Sequence, residues 1–127
     1  MAIEYIVYPK ENYVYSKVSD NLTLSDIIEY DNQLQKEPEL KPGYKELFDA
    51  RFISGSELTQ KTLKQIISKV ISDKKRSYSN KLAIVVSSSN SFDRAKYYEE
   101  SLPSDKETVI VFNSIDVAKI WLNVNKP

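Results

Sequence analysis

Hydrophobic positions change their period several times along the chain, and each change marks an element. Ile3 to Tyr8 and Tyr13 to Val18 are short β-branched and aromatic runs separated by Pro9-Lys10-Glu11-Asn12, a polar connection of hairpin length, so the chain is expected to open with a β-hairpin. In the second run Val14 and Val18 share one face while Tyr13, Tyr15 and the stem of Lys17 share the other, and the period of two assigns the valines to the core. Thr23 is then placed to cap a helix, with Asp26 three residues on as a short-chain form of the capping box. Leu24, Ile27, Ile28, Asp31 and Leu34 follow at helical spacing, their apolar members forming one stripe. Pro38 and the pair Pro42-Gly43 end this helix and turn the chain toward a third strand, Tyr44 to Ala50.

The polar stretch Arg51 to Thr59 leads into a second helix whose stripe is Leu63, Ile66, Ile67, Val70 and Ile71, with Lys64, Ser68 and Lys69 on the opposite side. Lys74-Lys75-Arg76 suit its negative end, and Ser77 to Asn80 read as a loop. Leu82 to Val86 is the most continuous apolar run, the pattern of a central strand covered on both faces. Ser87 to Ser89 and Asn90 supply a turn and an N-cap for a helix over Ser91 to Ser101, which presents Phe92, Ala95, Tyr98 and Leu102 and ends at Pro103. Thr108 to Phe112 is a last strand. Ser114 caps a final helix with Val117, Ala118, Trp121 and Leu122 on one face, and Trp121 is expected to plug the core between that helix and the sheet. The order is therefore β-β-α-β-α-β-α-β-α, an α/β domain spanning residues 1–127 with parallel neighbours and right-handed crossovers among its later strands.

Composition narrows the chemistry. With 127 residues, 41% of them hydrophobic and 28% charged, the chain can bury a core without disulfides or metal. Lysine plus arginine total 18 and aspartate plus glutamate total 18, so no net field draws it toward nucleic acid or an anionic membrane. There is no cysteine and no histidine, which excludes thiol nucleophiles, thiolate metal sites and every Ser-His or Cys-His arrangement. Glu99-Glu100 and the pair Asp105 and Glu107 sit in polar stretches, where adjacency does not set a working distance between carboxyls. The expectation is a non-enzyme without cofactor or metal. Met1-Ala2-Ile3-Glu4-Tyr5 shows no basic segment leading into an apolar run, and no stretch approaches the ~18 apolar residues of a membrane span, so a cytoplasmic address is expected. Arg94 and Lys96 beside Tyr97-Tyr98 are of the kind that stack on bases or line an interface; without a basic excess, the expected arrangement is one tyrosine buried and the other at the rim.

The order and wording together resemble the STAS-like, or SpoIIAA-like, family, related in fold to anti-sigma-factor antagonists and also grouped with lipid-carrying Sec14 (CRAL-TRIO) proteins. The residues that carry the resemblance are Val18-Ser19-Asp20-Asn21-Leu22-Thr23, Leu47-Phe48-Asp49-Ala50-Arg51, Glu57-Leu58-Thr59, Leu82-Ala83-Ile84-Val85-Val86-Ser87 and the stretch from Val111 to Leu122. It implies a mixed sheet of about five strands with about four helices, largely on one face, and a regulatory or protein-interaction role. In phospho-regulated members a serine follows an aspartate at the start of the helix after the third strand. Here Asp49 is followed by Ala50-Arg51, and the serines come later as Ser54 and Ser56.

Two loops are the candidate binding site. Asp49, Arg51, Ser54, Gly55 and Ser56 are expected at the C-terminal end of a strand and before a helix, where open α/β sheets hold ligands. Ser87 and Ser88, with Ser89, Asn90 and Ser91, occupy the equivalent place after the next strand, so an anion or polar ligand has two hydroxyl-rich loops to bridge. The plainer alternative is an Asp49–Arg51 salt bridge, a Ser54-Gly55-Ser56 turn and a capped helix start. Two roles remain open. A protein partner docking beside the second helix implies a filled core and an exposed apolar patch there. A carrier of a small apolar ligand or lipid implies a closed apolar cavity of about 300 Å³ or more.

Overall fold

The computed structural model describes residues 3–56, 58–72, 80–102 and 107–126, with residues 54–56 described by their backbone alone. The expected hairpin is β1 (Ile3–Tyr8) and β2 (Tyr13–Leu22), joined by a turn of 3-10 helix over Pro9–Glu11 that closes on Asn12 in the left-handed region (φ 48°), a conformation asparagine tolerates. The remaining elements are α1 (Leu24–Lys36), β3 (Lys45–Ser56), α2 (Gln60–Ser72), β4 (Asn80–Val85), α3 (Ser89–Ser101), β5 (Glu107–Phe112) and α4 (Ile115–Leu122). The sheet runs β1-β2-β3-β4-β5, antiparallel between β1 and β2 and parallel from β2 onward.

Both faces of the sheet are covered. Helices α1, α2 and α3 pack on one face, where Val14, Val18, Leu82, Ile84 and Val109 meet Leu34, Leu63, Ile66, Val70, Ala95 and Tyr98. Helix α4 closes the other, with Ala118 and Leu122 fully buried against Tyr13, Leu47, Ala83 and Val85. The double cover explains why β4 reads as a continuous apolar run rather than an alternating one. Val14 and Val18 are at 0% exposure, as their period requires, yet Tyr13 is equally buried because its face lies under α4.

The termini of the helices follow their caps. Thr23 Oγ1 accepts from the Asp26 amide (3.2 Å) while the Asp26 carboxylate accepts from the Thr23 amide (3.1 Å), a complete capping box. Gly43, at φ +84°, supplies the left-handed turn into β3, and its amide donates to Asn80 Oδ1 (2.8 Å) at the start of β4.

Several expectations are corrected. β2 runs on to Leu22, and Asn80 opens β4 instead of belonging to a loop. α3 begins at Ser89 with Ser88 as its cap. Most consequential, Arg51 to Ser56 is a continuation of β3 rather than a polar connection. Between the pairs Lys17–Asp49 and Ser19–Phe52 the register shifts, so β3 spends three steps where β2 spends two. Such a bulge puts consecutive residues on one side, and the Phe52 ring ends between Lys17 Nζ and the guanidinium of Arg51. Lys69 turns inward rather than to the outer side of α2, and Ile71 is 38% exposed. Val117 lies outside the buried face of α4, at 51% exposed. Trp121 is half-buried, its ring 5.7 Å from that of Phe112 and beneath Lys81 Nζ at 5.4 Å. Lys74-Lys75-Arg76, Ser77 to Ser79, Pro103 and Asp105 lie outside the described residues.

Candidate binding site

An apolar cavity of about 120 Å³ lies between the sheet and helices α1 to α3. Its floor is the alternate residues Phe48 and Ala50 of β3, Leu82 and Ile84 of β4, and Val86 just beyond; its roof is Leu63, Ile66 and Val70 of α2 with Ala95 and Tyr98 of α3. Two of the lining positions, one on the sheet and one on α3, are alanine. Ala50 and Ala95 add the least side-chain volume to that lining, and close packing otherwise leaves few voids of this size. Ile53, on the extension of β3, and Leu58 beyond it also line the cavity.

That cavity has two polar ends. Because β3, β4 and β5 are parallel, α2 and α3 run back against them, so the start of β3 lies near the end of α2 and the end of β4 near the start of α3. At the first end Glu46 is 1% exposed, and Tyr30 Oη donates to its Oε2 at 2.5 Å. That uses the only hydrogen of the phenol, so Ser16 Oγ donates to Tyr30 in turn. Alongside, Lys69 Nζ on α2 donates to Asp31 Oδ2 on α1 at 2.6 Å, tying the two helices together across the cavity wall. At the second end Ser91 and Arg94 of α3 line the cavity and are partly exposed.

The sequence-predicted residues lie elsewhere. Asp49 is wholly buried on the α4 face, where Arg51 Nε and Nη2 donate to its two oxygens at 2.8 Å each and Tyr15 Oη donates at 2.7 Å. Burial alone would push this carboxyl up; the hydrogen bonds from Arg51 and Tyr15 outweigh it and hold Asp49 below the ordinary value of 3.8. Tyr15 is pushed up to about 12, first by burial and then by its bond to Asp49. This triad is satisfied internally and serves the sheet. Ser87 Oγ donates to the Arg51 carbonyl at 3.0 Å, so the end of β4 is stitched to β3. Ser88 Oγ accepts from the Ser91 amide at 3.2 Å and caps α3. The side chains of Ser54 and Ser56 lie outside the described residues.

Tyr30, Glu46 and Ser16 are not legible in the sequence, since a polar residue in an amphipathic stretch gives no sign of a partner fourteen or sixteen positions away. Among the described residues no group of three or more acidic, histidine or cysteine side chains is placed to hold a metal ion, and no helix is long and apolar enough to cross a membrane.

No protein-family model matches the chain, and neither does any curated protein. Among solved structures it is similar to an uncharacterised protein of the DUF3478 family from Shewanella loihica PV-4, described as having a SpoIIAA-like fold. The TM-score is 0.64 over 95% of this chain and 94% of that one, at 15% identity. The fold is SpoIIAA-like. At this identity the likeness concerns architecture alone, and it agrees with the mixed five-stranded sheet and four helices seen here. Within this SpoIIAA-like frame the cavity sits under the three helices that share one face of the sheet, and α4 has no part in it.

Proposed function

We propose that this SpoIIAA-like domain is a non-enzymatic binding module of the regulatory kind, and that its cavity holds a compact, largely apolar molecule. The observation that carries this reading is the cavity of about 120 Å³ walled by Phe48, Leu63, Ile66, Leu82 and Ile84 with a few polar groups at its ends. A dry cavity of about 150 Å³ takes up benzene or xenon, which sets the scale of the occupant. Room for a lipid acyl chain would need the larger volume of about 300 Å³ expected of a carrier. Among the described lining residues Glu46 is engaged by Tyr30 and Lys69 by Asp31, and the chain has neither histidine nor cysteine, which supports binding over chemistry on the ligand. The test is a benzene titration followed by methyl NMR. Saturable shifts at Leu63, Ile66, Leu82 and Ile84, with none at Leu47 or Leu122 on the α4 face, are expected; no saturable shift at the cavity methyls would end the reading.

A second reading, docking of a protein partner, is supported by Phe52. Its ring is 49% exposed on the sheet and flanked by Lys17 Nζ at 4.9 Å and Arg51 Cζ at 5.0 Å. Among the described residues of α2, the apolar contact surface expected beside it shrinks to Ile71, since Leu63, Ile66, Ile67 and Val70 are buried. Phe52→Ser should abolish co-purification of a partner from native extract while leaving benzene uptake intact, and unchanged co-purification would dismiss this second role.

A further inference from the structure

The two ends of the cavity differ in charge, and the difference specifies a ligand class. At the α1 and α2 end every charged group is already engaged: Lys69 bonds Asp31, and Tyr30 bonds Glu46. At the other end Arg94, partly exposed and lining the cavity, has no ion pair or hydrogen bond among the described residues. A guanidinium cannot be neutralised by losing a proton, and its planar fork matches a carboxylate through two parallel hydrogen bonds. Between these ends the walls are apolar.

We propose that the cavity is built for a compact amphipathic anion, a monocarboxylate with an aryl or short branched body, whose carboxylate is met by Arg94 at the rim while the body fills the space beneath Ala95. The inference rests on the binding-module reading above and adds the chemical class of the ligand. One cation at the rim balances one negative charge. The far end carries the Glu46 carboxylate beside a Lys69–Asp31 pair whose charges already offset each other, so a second anionic group there meets net negative charge, which disfavours dicarboxylates of that length. A cavity of about 120 Å³ bounds the body at the size of one aromatic ring.

The experiment compares 4-methylbenzoate with its uncharged isostere 4-methylbenzamide, by calorimetry and by methyl shifts, on the wild-type chain, Arg94→Gln and Arg94→Lys. A charge-assisted pair is expected to favour the carboxylate about tenfold or more at low salt, with the advantage falling as salt rises. Arg94→Gln should bring the two compounds to parity while keeping the amide's affinity, and Arg94→Lys should retain part of the preference. Equal binding of both compounds to the wild type, or an undiminished preference in Arg94→Gln, overturns the inference about Arg94 and leaves the cavity reading standing. If neither compound nor benzene shifts the cavity methyls, both fall together. Thermal melting of each variant verifies that the fold is intact, and Arg94→Lys keeps the comparison decisive should Arg94→Gln unfold.

Discussion

Arg51 grips Asp49 with two parallel hydrogen bonds, Nε to Oδ1 and Nη2 to Oδ2, each 2.8 Å long. The carboxylate is wholly buried whereas the guanidinium side chain is 32% exposed, so removing the acid's charge strands a cation that still reaches water. Asp49→Asn should therefore destabilise by about 2–3 kcal/mol at neutral pH, below the roughly 3–5 kcal/mol of a fully buried pair because Arg51 keeps its access to water. The carboxyl is held below 3.8 in the folded chain, so its contribution is fully present above that value and is lost as pH falls through the depressed one. Urea unfolding from pH 7 down to pH 2 should show the wild type and Asp49→Asn converging at the acid end.

Tyr15 reports the same triad from the alkaline side. Its hydroxyl is pushed from 10.0 to about 12 by burial and by the bond to Asp49. A raised value means that the stabilisation is complete below pH 10 and disappears as pH rises through 12. Tyr15→Phe should cost about 1 kcal/mol at pH 7. It should also lessen the fall in stability between pH 10 and 12 by one proton's share, measured by guanidinium unfolding at stepped pH.

Tyr30→Phe takes the donor from Glu46 and the acceptor from Ser16 without altering the ring contacts to Tyr5 and Phe48. A loss of about 1–3 kcal/mol is expected, because a buried acid keeps its desolvation cost when a partner leaves. Combined with Glu46→Gln the two losses should fall short of their sum, since they share one bond. A double-mutant cycle by urea denaturation measures this.

Ala95→Leu fills the cavity from α3. Benzene uptake should vanish while the melting temperature holds or rises, because the new methyl groups occupy existing space rather than displacing neighbours. A fall of several degrees, with benzene shifts retained, would mean that Ala95 does not bound the space where the ligand sits.

Legibility from sequence followed locality. Thr23 with Asp26, and Ser114 before α4, were readable because a cap and its helix lie within one turn; Thr23→Ala should accordingly cost about 1 kcal/mol. The α2 stripe was readable because Leu63, Ile66, Ile67 and Val70 repeat at the helical period. β3 was lost beyond Ala50 because its bulge sets Arg51 and Phe52 on one side and breaks the alternation that identifies a strand. Lys69 was assigned outward on its charge, whereas its partner Asp31 lies 38 positions earlier on another helix. The cavity was not readable at all: Ala50 and Ala95, 45 positions apart, signal a void only once the fold has brought both into one lining.

The spatial order of the strands repeats their order along the chain. A polypeptide emerging from the ribosome can thus lay each strand on the edge left by the one before, without parting any hydrogen bonds already made. The exception to this smooth growth is the underside. Tyr13, Leu47, Ala83 and Val85 wait for Ala118 and Leu122, so until α4 is released from the exit tunnel the apolar underside of the sheet stays uncovered by this helix.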